Sequence, residues 1–369
     1  APNRGGGVGE REAVGVPPWG MASGPVASQP QKKPNLKTLD NGVRWTGLEV
    51  TEAKGVEVQV WIDCRGFPVA YDARGLRHFA EHLMAQRAGA QGPAAFLLAS
   101  TGPDWMQFRI FSPVEELEAS LRALRQVLEP GQFSPEQVEQ EKGIIREELK
   151  LAEYERPGAF AAWEAAMGAV RPHPMGYGVA GADATADELT RISEWLSDPA
   201  RIVVATVGAA SEGRMESAVQ TFRTLTRSEG ELRPESRDPA NPTSDWIRIK
   251  LDGWSSPKAA QALALGFAIQ SADLSLGISV TPTLGASAVL IQRPGEKAKE
   301  RLLDRPAHYL ELGRDQALQW LQVRTAKLHG TAETLAFLAL GSPPLALLGP
   351  ELNSLDFSQA EEALREVLK

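Results

Sequence analysis

Apolar positions along the chain follow two periods. Over 36–50 and 56–64 they partly alternate with polar ones and are rich in β-branched and aromatic residues, which predicts strands. Val56, Val58, Val60 and Ile62 would then share one face of the second strand. Asn41-Gly42 predicts a tight hairpin turn, since both residues tolerate positive φ. Over 86–95 the pattern fades into Ala, Gly and Gln. Strand pieces are predicted at 96–99 and 105–112, and the intervening Gly102-Pro103 bend removes one ladder donor, as suits an edge strand. Val114, Leu117, Leu121, Leu124 and Leu128 recur at helical spacing and predict a helix over 113–128. Another is predicted over 135–155, with Ser134 as N-cap, Pro135 in the first position and Gln137 three residues beyond the cap.

The second half repeats the mixture. Strands are predicted at 247–251 and 260–269, with two more within 276–292 around Thr281-Pro282-Thr283. Helices are predicted at 296–312, 316–329, 331–340 and 358–368, the last capped by Ser358. Trp246, Trp254 and Trp320 read as core or interface aromatics.

A chain of 369 residues is long for one core and predicts two domains. A net charge of -8 argues against a nucleic-acid partner, and no apolar run approaches the roughly 20 residues of a membrane span. The single Cys64 excludes an intrachain disulfide and a cysteine-based metal site. Residues 1–35 are Gly- and Pro-rich without apolar periodicity and are expected to be extended or disordered. The start at Ala1 would suit removal of a secretory signal, which makes a periplasmic or secreted location the expectation.

The chemistry concentrates in Gly75-Leu-Arg-His-Phe-Ala-Glu-His-Leu-Met84. On a helix, His78 and His82 stand one above the other and can offer two imidazole nitrogens to one ion. Glu81 precedes the second histidine, giving the H-x-x-E-H order in which the glutamate is placed to take a proton from water. Two half-buried histidines on an amphipathic helix would satisfy the pattern equally until a third ligand is found. Glu141 and Glu148 supply candidates: seven residues apart on the 135–155 helix, they share a face beside Ile144 and Ile145, where a carboxylate needs a partner. His173, His308 and His329 are isolated in sequence and read as structural or surface residues.

These features resemble the pitrilysin and insulinase family of zinc metallopeptidases, which includes the mitochondrial processing peptidase. The resemblance runs from about residue 36 to the C-terminus and is strongest over 56–208. Leu39-Asp40-Asn41-Gly42, the Ala99, Thr101, Asp104 and Phe108 pattern, and Asp187-Glu188-Leu189 followed by 202–208 are similar to further family landmarks. The resemblance implies one zinc ion per chain held by His78, His82 and Glu148, with Glu81 as general base and Glu141 assisting. It also implies an α+β fold of two similar domains, each a mostly antiparallel mixed sheet packed with helices, together half a clamshell. The domains would span 36–226 and a trimmed 246–369, joined by a linker at 227–245.

Two departures bear on function. The interval between the motif and the following strand is shorter than in the family by roughly a helix, and Leu98 stands where the family has Asn. The second half lacks the family's substrate-holding Arg/Tyr pair: Arg301, Arg305 and Tyr309 have the wrong spacing. The resemblance therefore implies a zinc endopeptidase for short or unfolded peptides that works beside a second family subunit carrying the Arg/Tyr pair. The alternatives are a non-catalytic assembly subunit and a module using zinc only for stability.

Overall fold

The computed structural model describes residues 35–167, 172–173, 181–227, 232, 245–256 and 258–369. Residues 1–34 and most of the expected linker lie outside the described residues. The fold is α+β. Its larger sheet comprises β1 (Asn35–Thr38), β2 (Arg44–Glu49), β3 (Val56–Asp63), β4 (Leu98–Thr101), β5 (Trp105–Ser112) and β6 (Ile202–Gly208), in the order β1-β2-β6-β3-β5-β4. Neighbours are antiparallel except β2 and β6, which run parallel. The short β4 is thus an edge strand, as the Gly102-Pro103 bend predicts.

The helices of this half are α1 (Val69–Ala73), α2 (Leu76–Gln86), α3 (Leu117–Val127), α4 (Pro135–Glu155), α5 (Ala159–Met167), α6 (Ala186–Leu196) and α7 (Glu212–Val219). Val56, Val58, Val60 and Ile62 line one face of β3 and are fully buried in the core that also takes side chains from α2, α3, α6 and α7. Gly42 has φ 101°, which closes the β1–β2 turn, while the Asn41 side chain donates to the carbonyls of Phe222 and Leu225.

A second, antiparallel sheet is formed by β7 (Trp246–Leu251), β8 (Ile278–Val280) and β9 (Ser287–Gln292), in the order β7-β9-β8. It is accompanied by α8 (Ala259–Ala272), α9 (Glu296–Asp304), α10 (Pro306–Thr325), α11 (Leu328–Ala339), α12 (Gly349–Asn353) and α13 (Phe357–Val367). α11 reaches across to the opposite face of the larger sheet, where Trp61, Val203, Ala205 and Val207 cluster with Leu335, Ala336 and Phe337. Trp61 and Phe337 meet edge to face at 5.4 Å. Burying each such side chain is worth roughly 1.5–3 kcal/mol, so this seam is a substantial bond between the halves.

Five sequence expectations are corrected. The expected strand at 260–269 is helix α8, which is apolar all round because it is buried all round, and such a run carries no period to reveal it. At 96–99 the chain is a 3-10 turn, Gly92–Phe96, followed by β4. The helix expected at 296–312 breaks at Arg305, since Pro306 disfavours helical backbone before it and starts α10 instead. α10 then runs without interruption through residue 316, where a new helix was expected. Asp356, not Ser358, caps α13, accepting from the backbone N–H of Ser358 and Gln359.

Cys64 is buried beneath the larger sheet, and its thiol is pushed up to about 12, chiefly by desolvation. Alkylation at pH 8 is therefore expected to be roughly 100-fold or more slower in the native chain than in denaturant. Equal rates in a stopped-time thiol assay would contradict this burial.

Candidate metal centre

The motif helix α2 begins at Gly75, whose φ of 73° is open to glycine at little cost and turns the chain out of α1. Leu76, Phe79, Ala80, Leu83 and Met84 are buried in the core and fix the helix's rotation. Two flanks remain. Arg77 and Glu81, four residues apart, point to the β4–β5 hairpin, and His78 and His82 point to α4. The start of α4 is fixed by the predicted capping box: Ser134 accepts from the N–H of Gln137, and the Gln137 side chain accepts from the N–H of Ser134. Val138 and Ile145 bury the helix, and this phase carries Glu141 and Glu148 to the histidines.

His78, His82 and Glu148 converge, with one donor atom of each lying within 4.8 Å of the others. The two Nε2 atoms are 3.2 Å apart, and Glu148 Oε2 lies 3.3 Å from His82 Nε2 and 3.6 Å from His78 Nε2. Glu141, buried, stands behind this triangle: its Oε1 is 2.7 Å from His82 Nδ1 and its Oε2 accepts from Gln86 Nε2 at 2.7 Å. A carboxylate on Nδ1 fixes the His82 tautomer and directs Nε2 toward the convergence point. Glu81 lies to the other side, where the hydroxyl of Thr101 on β4 donates to its Oε2.

Two imidazole nitrogens facing each other need a cation or a proton between them. The side chains by themselves place a proton on His82. Burial is the largest single influence and lowers its pKa, but hydrogen bonds to Glu141 and Glu148 outweigh it and raise the pKa to about 10. His78 is held well below the ordinary value, first by burial and then by the charge of His82. Its Nδ1 is buried and has no hydrogen-bond partner among the described residues. Burial raises the Glu81 carboxyl above its ordinary value, against the opposing pull of His82 and the Thr101 hydroxyl.

The hairpin beside Glu81 is fastened by Arg77, which sequence reasoning missed, and by Asp104, which it noted only as part of a pattern. Arg77, fully buried, makes a two-pronged bond to Asp72 at 2.8 and 3.0 Å and donates to the carbonyls of Trp105 and Pro103 at 2.8 and 3.0 Å. Asp104 in turn accepts from the backbone N–H of Leu284 and Gly285, each at 2.9 Å. A cleft of about 310 Å³ opens beside β4, lined by Thr101, Gln107, Trp163, His173, Arg324 and Glu333 among others. His173 and His329, expected to be structural or surface residues, both line this cleft. His173 is lowered to about 3 by burial and then by the Arg77 charge, so its imidazole is neutral near pH 7. No sequence signal places His173 here.

No family model matches the sequence, and no curated protein matches it. Solved structures do match. A protease from Helicobacter pylori aligns with TM-score 0.68 at 15% identity, over 90% of this chain and 96% of that one. The "peptidase M16 inactive domain" of Pseudomonas fluorescens aligns with TM-score 0.64 at 16% identity, over 91% and 95%. The periplasmic protease PqqL of Escherichia coli aligns with TM-score 0.63 at 14% identity over 93% of this chain, which spans about half (47%) of its length. At these identities the fold is what is shared: the chain has the fold of these protease and M16 peptidase structures. One of the three is described as inactive, so the fold alone does not decide activity. No described helix is long and apolar enough to cross a membrane.

Glu141→Ala removes the group that orients His82. Divalent-metal affinity, measured by competition with a chromogenic chelator, is expected to fall roughly 10–100-fold with the fold retained by circular dichroism. Unchanged affinity would show that His82 is oriented without Glu141.

Proposed function

We propose that the chain is the metal-bearing half of a zinc-dependent endopeptidase that cuts short or unfolded peptides. The observation that carries this reading is the convergence of His78, His82 and Glu148, with Glu81 beside them and unable to serve a structural role there as economically as an apolar residue would. The donor set suits zinc in kind, two imidazoles and a carboxylate. It also suits zinc in size, since donors on a tetrahedral ion at about 2.0–2.1 Å lie roughly 3.4 Å apart and the triangle's sides are 3.2, 3.3 and 3.6 Å.

Zinc held there would supply Lewis acidity, polarising a peptide carbonyl and lowering the pKa of water. The rest falls to the chain's own residues. Glu81 accepts the proton of the attacking water and delivers it to the leaving amine, a task favoured by its raised pKa. Glu141 keeps His82 in register. No described strand pairs with the outer edge of β4, which offers its backbone to an extended peptide that would add as a further strand, and the short run from Leu98 to Thr101 suits a few residues of substrate. The donors for the developing oxyanion are assigned to a second subunit, the Arg/Tyr pair having no counterpart at the expected place in this chain. That PqqL is about twice as long fits a working enzyme with two such halves. PqqL is described as periplasmic, and we extend that location to this chain.

A second reading, a non-catalytic assembly subunit, is favoured by the Pseudomonas fluorescens domain described as inactive. Glu81→Gln discriminates. For a peptidase, peptide cleavage by the chain with its co-purifying partner falls by roughly 10²–10⁴ while bound zinc stays near one per chain. Wild-type protein that binds zinc and cleaves nothing with any partner would sustain the second reading instead. High activity of the isolated chain would remove the need for the second subunit.

A further inference from the structure

We infer that Thr101 is a positioning residue for Glu81, and that through it the edge strand that receives substrate also sets the base. This rests on the peptidase reading above and adds a residue to it. Thr101 is the last residue of β4, paired with Met106 of β5. Its hydroxyl donates to Glu81 Oε2, and Oε1 has no hydrogen bond from another described residue. One oxygen of the carboxylate is thereby held while the other is left for water. A glutamate has three side-chain torsions, and holding one oxygen removes most of that freedom without neutralising the charge.

The hydroxyl is itself placed by a rigid frame. One turn before Glu81 on the same flank of α2, Arg77 donates to the carbonyls of Pro103 and Trp105, so the helix grips the hairpin at two points. Asp104 pins the same hairpin from the other side through Leu284 and Gly285. The chain passes from the Thr101 hydroxyl to the strand's outer backbone within a single residue. A peptide bound along that edge is therefore registered against the base by the same residue that orients it, which is the condition for a near-attack arrangement.

The test has two arms. In the first, Thr101→Val, Thr101→Ser and wild type are assayed with the co-purifying partner. Valine keeps the shape and removes the donor, and a hydrogen bond to a charged group is worth a roughly 10–100-fold change. Thr101→Val is expected to lose that much in kcat with KM altered less than about threefold and zinc content unchanged, and Thr101→Ser to restore most of it. An unchanged kcat, an effect confined to KM, or failure of serine to rescue would each overturn the inference. In the second arm, the isolated chain is unfolded by urea as wild type, Thr101→Val, Glu81→Ala and the double variant. The double variant is expected to be more stable than the two single losses summed would make it, by on the order of tenfold in the unfolding constant. Additive losses would overturn the hydrogen bond even if cleavage is observed. Coupling found together with no cleavage by wild type in any combination would instead overturn the peptidase reading, and the positioning role with it.

Discussion

The guanidinium of Arg77 is the constraint on which the site depends. Taking that charge out of water is costly, and it is tolerated because Asp72 matches its fork and two carbonyls of the β4–β5 hairpin take further N–H groups. The same bonds fix the distance between the motif helix and the edge strand. Glu81 and Thr101 are consequently neighbours by construction, and the hairpin cannot drift without breaking two hydrogen bonds of a buried guanidinium. A hydrophobic pair in place of Arg77 and Asp72 could match the stability, but it would not specify where the hairpin sits.

The two halves of the chain are tied at this same place. Asp104 receives two backbone N–H groups from the turn at Leu284 and Gly285, Trp105 donates to the carbonyl of Pro282, and α11 covers the larger sheet through Trp61 and Phe337. The second half therefore contributes to the site without offering a ligand among its described residues, by holding the β4–β5 hairpin that carries Thr101. One wall of the cleft beside β4 is made by Arg324 and Glu333, which are joined by an ion pair with contacts of 2.9–3.3 Å.

Much of this was legible in the sequence where one period or one local bond decides the outcome. The capping box at Ser134 fixed the start of α4, and with it the face shared by Glu141 and Glu148. The alternation in β3 identified the face that enters the main core, though its other face is buried as well. The order H-x-x-E-H placed two imidazoles on one flank. What escaped was decided elsewhere. α8 is buried on every side, so its run of Ala and Leu had no polar face to betray a helix. Arg77 and Thr101 act through partners 26 and 20 residues away, respectively, in carbonyls and a carboxylate that no spacing rule links to them. His173 reaches the cleft only through tertiary packing, against Phe160 at 4.2 Å.

One feature of α4 extends beyond chemistry. Of its 21 residues, those buried are Val138, Glu141 and Ile145, all in the first half of the helix. Past Ile145 the exposed side chains include Leu151 and Tyr154, and Glu148 is the point where this outer half meets α2. An ion shared by Glu148 and the two histidines would thus act as a rivet as well as a reagent. The stretch beyond Ile145 is about 15 Å long at the rise of 1.5 Å per residue, and loading of the centre would be felt there as added stiffness, over and above the contact that Glu148 already makes with His82.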